Sequence, residues 1–149
     1  MNTQIVTIDA LDLIQEDHLA LHQRIRVVRE KLHAQDVDPR SLWSELRALE
    51  LELAEHFRHE EAEGFFDSLL DSAPHFAEPI AALKRQHERF VAKIVAMKDR
   101  CNVTPPFDCE QLAELSRLYQ SFLAEFEGHE HAELKLVQET VNRDLGSAD

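Results

Sequence analysis

Residues 112–136 read LAELSRLYQSFLAEFEGHEHAELKL, and their spacing decides the fold class. Most of the regularly spaced side chains are nonpolar or aromatic and recur at alternating steps of three and four residues, which places them on one face of an α-helix packed against other helices. Two polar side chains fall on the same face. The stripe consists of Leu112, Leu115, Tyr119, Phe122, Phe126, His129, Glu133 and Leu136. It predicts a long helix at about residues 109–145, with Asp108 and Gln111 as a capping box at its start.

Three further stretches have the same helical spacing. They are predicted to be helices at about residues 9–34, 39–72 and 79–102. Asp9 is expected to cap the first helix, and Asp38 with Pro39 to open the second. The second helix is expected to continue past Gly64. Four long helices joined by short loops predict a single all-α domain over residues 1–149, an antiparallel up-down-up-down four-helix bundle.

The composition supports helices and argues against several classes of function. The chain has 149 residues with 3 Gly and 5 Pro, which favours helices, and a formal net charge of −13. Such an acidic surface repels phosphate backbones and anionic lipids, so binding to nucleic acid or to a membrane surface is not expected. The nonpolar stretches are too short to span a membrane, and residues 1–10 lack the features of a secretion signal, so we expect a cytoplasmic protein. Cys101 and Cys109 flank a predicted loop and are expected to be reduced thiols.

Polar residues interrupt the stripe of every predicted helix in a repeated order, a lone His followed by His-x-x-x-Glu, twice over. The six residues are His18, His56, Glu60, His87, His129 and Glu133. A residue and its neighbour four positions later lie on one helix face, so each His-x-x-x-Glu aims an imidazole and a carboxylate at one point. Counting the helical rise from each predicted loop places the six near one level, with a mismatch of about 7 Å at the last loop.

This set of side chains favours a metal site over a purely structural polar layer. A single His in a nonpolar stripe is more often an ordinary core residue, but burying several unpaired polar groups costs roughly several kcal/mol each. The carboxylates of Glu60 and Glu133 can bridge two cations, with the four imidazoles as terminal ligands, two to each cation. Mixed imidazole and carboxylate ligation suits iron, with manganese or zinc as alternatives.

The motifs around these residues resemble those of the hemerythrin family, in its HHE cation-binding branch, over nearly the whole chain. The matching segments are Glu16-Asp17-His18, His56-Phe57-Arg58-His59-Glu60-Glu61, Gln86-His87-Glu88-Arg89-Phe90 and His129-Glu130-His131-Ala132-Glu133. The resemblance implies a four-helix bundle that holds two iron ions joined by an oxo or hydroxo bridge. It also implies that His18 and His56 serve one iron, and that His87 and His129 serve the other.

The chain departs from the oxygen-carrying hemerythrins at two positions. Those proteins have a further His four residues after the third-helix His, where this chain has Val91. Their fourth-helix carboxylate is an Asp one residue further along, and here it is Glu133. Four His in place of five leave coordination positions open, which favours chemistry at both irons over simple reversible oxygen carriage. The four-His, two-Glu set is similar to the HHE domains of iron-centre repair and iron-sensing proteins.

The leading functional hypothesis is that the protein binds O2, NO or peroxide at a carboxylate-bridged metal pair, for sensing, storage or buffering. One alternative is a di-iron enzyme that acts on peroxide or NO, or an iron donor that repairs iron–sulphur centres. Another is a metal-free helical interaction module. The sequence does not identify a protein partner.

Several nearby residues are expected to lie outside the ligand set. His22 could be an extra ligand or an outer hydrogen-bond donor, but a half-exposed His is favoured. Tyr119 is expected to be a core residue. Solvated or peripheral positions are expected for His59, His131, Glu61, Glu63 and Glu130. Walls of the site are expected from Phe57, Phe90, Val91 and Phe126.

Overall fold

The protein is described here by a computed structural model that covers residues 3–146, with side-chain surroundings for residues 12–143. This part of the chain is all-helical and contains no strand, so the all-α prediction is confirmed for it. The helices are α1 (Thr3–Leu32), α2 (Pro39–Ala62), α3 (Phe65–Ser72), α4 (Ala77–Arg100) and α5 (Cys109–Gly146), with a 3-10 turn at Pro74–Phe76 between α3 and α4.

Two helix starts lie where the sequence predicts them. The side chain of Asp38 accepts a hydrogen bond from the backbone N–H of Arg40 at 3.3 Å, and Pro39 is the first residue of α2. At the start of α5 the backbone N–H of Gln111 donates to Asp108 Oδ1 at 2.7 Å, and the N–H of Asp108 donates to Gln111 Oε1 at 2.9 Å. These bonds satisfy N–H groups that have no partner within the helix.

Two boundary predictions are wrong. The first helix begins at Thr3, so Asp9 lies inside it; residues 3–8 contain neither Gly nor Pro, and nothing in them stops a helix. The second helix ends at Ala62 and does not continue past Gly64. Gly64 has a φ of 95°, a left-handed conformation that breaks the helical path and that Gly adopts without strain. The chain resumes as the separate helix α3.

The long helices pack against one another in sequence order, α1 on α2, α2 on α4 and α4 on α5, while α1 also contacts α5. Side-chain pairs along α1 and α2 run in opposite order, because Lys31 Nζ lies 2.9 Å from Ser41 Oγ whereas Arg24 Nε lies 3.1 Å from Glu52 Oε1. None of the helices in the described part of the chain has a nonpolar stretch sufficient to cross a lipid bilayer.

The core consists of two clusters of buried nonpolar side chains. The larger cluster contains Leu21, Leu53, Phe90 and Phe126, among others. The smaller one lies around α3 and contains Ile14, Phe66, Leu83 and Leu136, among others. The six polar residues of the stripes occupy the positions between these clusters along each long helix. They therefore lie between two nonpolar layers.

Candidate metal centre

All six predicted residues converge inside the protein. Five of them have side chains that are at most 4% exposed, and His18 is the exception at 22%. Their potential ligand atoms form two groups, and within each group the atoms lie within 4.8 Å of one another. The groups are Glu60, His87, His129 with Glu133, and His18, His56 with Glu133. Glu133 belongs to both groups, which is the arrangement that a bridging carboxylate requires.

The atoms that face inward lack hydrogen-bond partners. Among the described residues, the Nε2 atoms of all four imidazoles and both carboxylate oxygens of Glu60 and Glu133 are buried without one. Some are close to each other, such as His129 Nε2 and Glu133 Oε1 at 2.6 Å, but their orientation does not make a hydrogen bond. Unsatisfied buried polar atoms are rare because each one is unfavourable. A cation would satisfy them, so this group could hold a metal ion.

The outer nitrogen of each imidazole, Nδ1, faces a polar side chain of the neighbouring helix. These partners follow one another around the protein, each lying next in sequence to one of the six residues. The contacts are Asp17 of α1 with His56 of α2 at 3.2 Å, Glu61 of α2 with His87 of α4 at 3.0 Å, Gln86 of α4 with His129 of α5 at 2.6 Å, and Glu130 of α5 with His18 of α1 at 3.5 Å. We call these four side chains the outer ring.

The outer ring sets the proton positions of the imidazoles. A carboxylate or an amide oxygen accepts a hydrogen bond from the Nδ1–H, which leaves the lone pair of a neutral imidazole on the inward Nε2. Such outer hydrogen bonds orient His ligands and raise their basicity in metal sites. The contact between Glu130 and His18 is the longest of the four, and Glu130 instead forms a 2.9 Å hydrogen bond with His22.

The outer ring corrects part of the sequence interpretation. Glu61 is exposed, as expected, but its carboxylate also contacts the Nδ1 of His87, whereas Glu130, expected to be solvated, is only 14% exposed. Asp17 and Gln86 were not identified as functional candidates. The available signal was their position, since each directly precedes a ligand candidate. Glu63 does remain a surface charge and pairs with Arg58 at 2.6 Å.

The remaining histidines occupy different positions. His22 is half-exposed, as expected, with 51% of its side chain accessible. His59 is peripheral to the six residues, but its side chain is largely covered. Its Nδ1 lies 2.5 Å from Asp17 Oδ2. Asp17 thus links His59 to His56. His131 is exposed on α5.

Burial shifts the pKa values of the two carboxyl groups in different directions. For Glu60, loss of hydration and the adjacent Glu133 carboxylate both raise the pKa well above 4.5. For Glu133, burial alone would also raise the pKa, but the contacts with Glu60 and with the rings of His129 and His18 outweigh it and lower the pKa. Without a cation, the two neighbouring carboxyl groups therefore do not ionise equally readily.

The pKa values of His18, His56 and His87 are also shifted. Burial lowers the pKa of His56 to about 4, and burial is also the main reason that the pKa of His87 lies below 6.5. Burial opposes protonation of His18 too, but Glu133, Glu130 and Asp17 outweigh it and raise its pKa. Neutral imidazoles are the form that binds a cation, so His56 and His87 are ready to do so at neutral pH.

Aromatic side chains cover the site on the side of α2, α4 and α5. The ring of Phe57 stacks on His87 with 3.9 Å between centroids, and Phe90 meets the ring of His129 edge-on at 5.1 Å. Phe126 is fully buried beside them, and Val91 is half-buried one turn after His87. Phe66 of α3 adds a face that was not predicted, 5.9 Å from His87. Tyr119 is a core residue, as expected.

Comparisons with known proteins add no assignment to this geometry. A scan against protein-family models, a search of curated proteins and a search of solved structures each returned no match. The chemistry of the buried cluster is therefore the only basis for a functional conclusion.

Proposed function

We propose that the protein is a hemerythrin-like di-iron protein that binds O2 or a related small ligand, NO or peroxide, for sensing, storage or buffering. In this proposal the helices form an antiparallel up-down-up-down four-helix bundle with the metal pair at mid-height. The opposite order of side-chain contacts between successive long helices supports the topology, as in the α4–α5 pairs Arg100–Glu114 and Arg89–Glu125. The expected location is the cytoplasm.

The observation that carries the proposal is the set of inward-facing atoms without partners. Four imidazole nitrogens and four carboxylate oxygens are buried close together, and none of them makes a hydrogen bond of acceptable geometry. A structural polar layer would be expected to pair its donors with its acceptors. A donor set of imidazole nitrogens and carboxylate oxygens matches the ligands that iron takes in proteins without haem.

Each residue has a defined task in this proposal. His18 and His56 would hold one iron and His87 and His129 the other, with Glu60 and Glu133 as the carboxylate ligands. When bound, the iron pair supplies the electrons that O2 or peroxide chemistry needs. Asp17, Glu61 and Gln86 of the outer ring hold a proton on the Nδ1 of His56, His87 and His129, so that the Nε2 of each stays free to bind. The aromatic cover limits water at the α4 side, which matters because solvent access tunes redox behaviour.

A specific observation also favours an enzyme as the second candidate. Val91 lies one turn after His87, where the oxygen-carrying hemerythrins have a fifth imidazole, so the group with His87 and His129 has one His fewer than a carrier has. A metal pair with open positions on both ions can act on both ends of a substrate. Turnover of peroxide or NO, or delivery of iron to damaged iron–sulphur centres, would follow from that property.

Anaerobic reconstitution with ferrous iron tests the proposal. We expect two irons per chain, a Mössbauer spectrum of a coupled pair, and loss of iron in His56→Ala and Glu60→Ala. His33→Ala is the matched control, because His33 is exposed and bonds only the backbone of Arg29. Oxygen titration then separates the candidates: a spectrum that reverses on degassing supports binding, and irreversible oxidation with consumption of peroxide or NO supports the enzyme. Iron that binds equally to the parent and to both ligand variants would overturn the proposal.

A further inference from the structure

A cavity of about 420 Å³ lies between α1 and α5 and reaches the metal centre from outside. His18 and Glu133 line it, together with His22, Glu127, Glu130 and His131. Part of the cavity wall is nonpolar and is formed by Ile14, Phe65 and Val137. The cavity thus connects an exposed surface of α5 to two of the six proposed ligands.

The six residues are more accessible from this cavity than from the groove between α2 and α4. His18 has 22% of its side chain exposed, whereas His56, His87 and His129 have between 0% and 4%. Glu133 also lines the cavity, is buried, and makes no hydrogen bond through either carboxylate oxygen, although the rings of His18 and His129 lie close to it. A buried acidic group among the proposed ligands therefore faces this opening.

The charges around the three described cavities differ in a way that matters for a cation. Among the residues whose side chains the structure describes, no Lys or Arg lines the cavity between α1 and α5. The groove between α2 and α4, which touches His87, is lined by Arg58 beside Glu61 and Glu88. The cavity between α4 and α5 is lined by Lys135 beside Glu139, so a cationic side chain is present in each of these two. A fixed positive charge repels a divalent cation, while carboxylates in a narrow opening attract it.

The outer part of the cavity is suited to passing a cation along. Glu130 is the one member of the outer ring whose contact with its imidazole is too long for a good hydrogen bond, so it is free to turn outward. Glu130 forms a 2.9 Å hydrogen bond with His22, whose side chain is half-exposed. In the described part of the chain, only the inner six residues bring three or more ligand atoms together. The outer residues would therefore bind a cation weakly and release it inward.

We propose that this cavity is the route by which a divalent metal cation enters and leaves the centre, with His22, Glu127, Glu130 and His131 as its transient ligands. The inference rests on the proposed function, since it requires that the inner six residues hold metal. It assigns a task to four residues that are not among the proposed ligands of the bound pair.

Stopped-flow uptake of Co²⁺ by the metal-free full-length protein at low ionic strength tests the route. The variant His22→Gln/Glu127→Gln/His131→Gln changes the cavity without touching any of the six. Uptake is expected to slow by about five- to tenfold, while the number of ions bound at saturation is unchanged. The matched control His33→Gln/Glu88→Gln/His75→Gln makes the same substitutions at exposed positions outside the cavity and should take up Co²⁺ at the parent rate.

A second variant tests whether narrowing the cavity slows the passage of the cation. Leu134→Trp places a large side chain at the cavity wall and should slow both uptake and chelator-driven release by a similar factor, leaving affinity unchanged. The inference is overturned if both cavity variants load at the parent rate, or if the control slows equally. Absence of Co²⁺ binding in the parent at equilibrium would instead overturn the proposed function. Circular dichroism of each variant confirms that the helices are retained.

Discussion

The Nδ1 of His129 lies 2.6 Å from Oε1 of Gln86, which makes Gln86 the one uncharged member of the outer ring. An amide oxygen accepts the Nδ1–H without adding a negative charge beside the His87 and His129 pair. Gln86→Leu removes the acceptor and should weaken metal binding by about tenfold or more. Gln86→Glu restores an acceptor and should recover the affinity. Competition with a chelator of known affinity measures both, and equal affinity in Gln86→Leu and the parent would contradict the role.

Glu133 belongs to both groups of ligand atoms, whereas His56 belongs to one. Glu133→Ala is therefore expected to lower the occupancy of both ions, and His56→Ala to spare much of the second. Elemental analysis after reconstitution measures the difference as metal per chain. If the two variants lose the same fraction of metal, Glu133 does not act as a shared ligand.

The stability of the metal-free protein should depend on pH through His56. Burial lowers the pKa of His56 to about 4 in the folded state, against an ordinary value of 6.5. Between these values the unfolded chain binds a proton that the folded chain does not, so this contribution to stability is complete above pH 6.5 and is lost as the pH falls toward 4. The difference amounts to about 3 kcal/mol at most.

Urea unfolding at pH 7 and pH 4.5 tests this dependence, with His56→Asn as the comparison. Asn keeps a polar side chain but does not titrate. Titration of the carboxylates and of the other histidines at acid pH is common to both proteins. The parent should lose more of its free energy of unfolding than the variant does. A parallel loss in both would show that His56 is not the source.

Val91→His should place a fifth imidazole one turn after His87 on α4. Val91 is half-buried beside Phe57 and the groove between α2 and α4, so the larger ring can be accommodated. If the missing ligand sets reactivity, the variant should bind O2 more reversibly and oxidise more slowly. Optical spectra during repeated oxygenation and degassing measure this. Val91→Asn, which has no imidazole to offer, is the control and should behave as the parent does.

The sequence predicts the helices and the convergence of the six residues well, because each long helix repeats its stripe over many turns. The break at Gly64 was missed because the helical spacing of nonpolar residues continues beyond it. Phe65, Phe66 and Leu69 keep helical spacing within α3, and the spacing alone does not reveal a backbone angle of 95° at Gly64. The start of α1 was placed too late because Asp9 is a good cap residue, although no helix breaker precedes it.

The outer ring could not be predicted from the periodicity of single helices. Asp17, Glu61, Gln86 and Glu130 lie next to the stripe and look like solvated face residues on their own helix. Each of them contacts a His of a different helix, so the relation depends on how neighbouring helices are rotated against each other. That rotation follows from side-chain packing across the whole interior.

The contact between His18 of α1 and Glu133 of α5 joins the first and last helices of the chain, which no loop connects. A metal ion bound by both residues would hold α1 against α5. Without that ion the two helices would be held together less firmly, because α1 otherwise touches α5 only slightly, while α1 stays packed against α2. The boundary between the first and last helices would then close when metal is bound and loosen when it is lost.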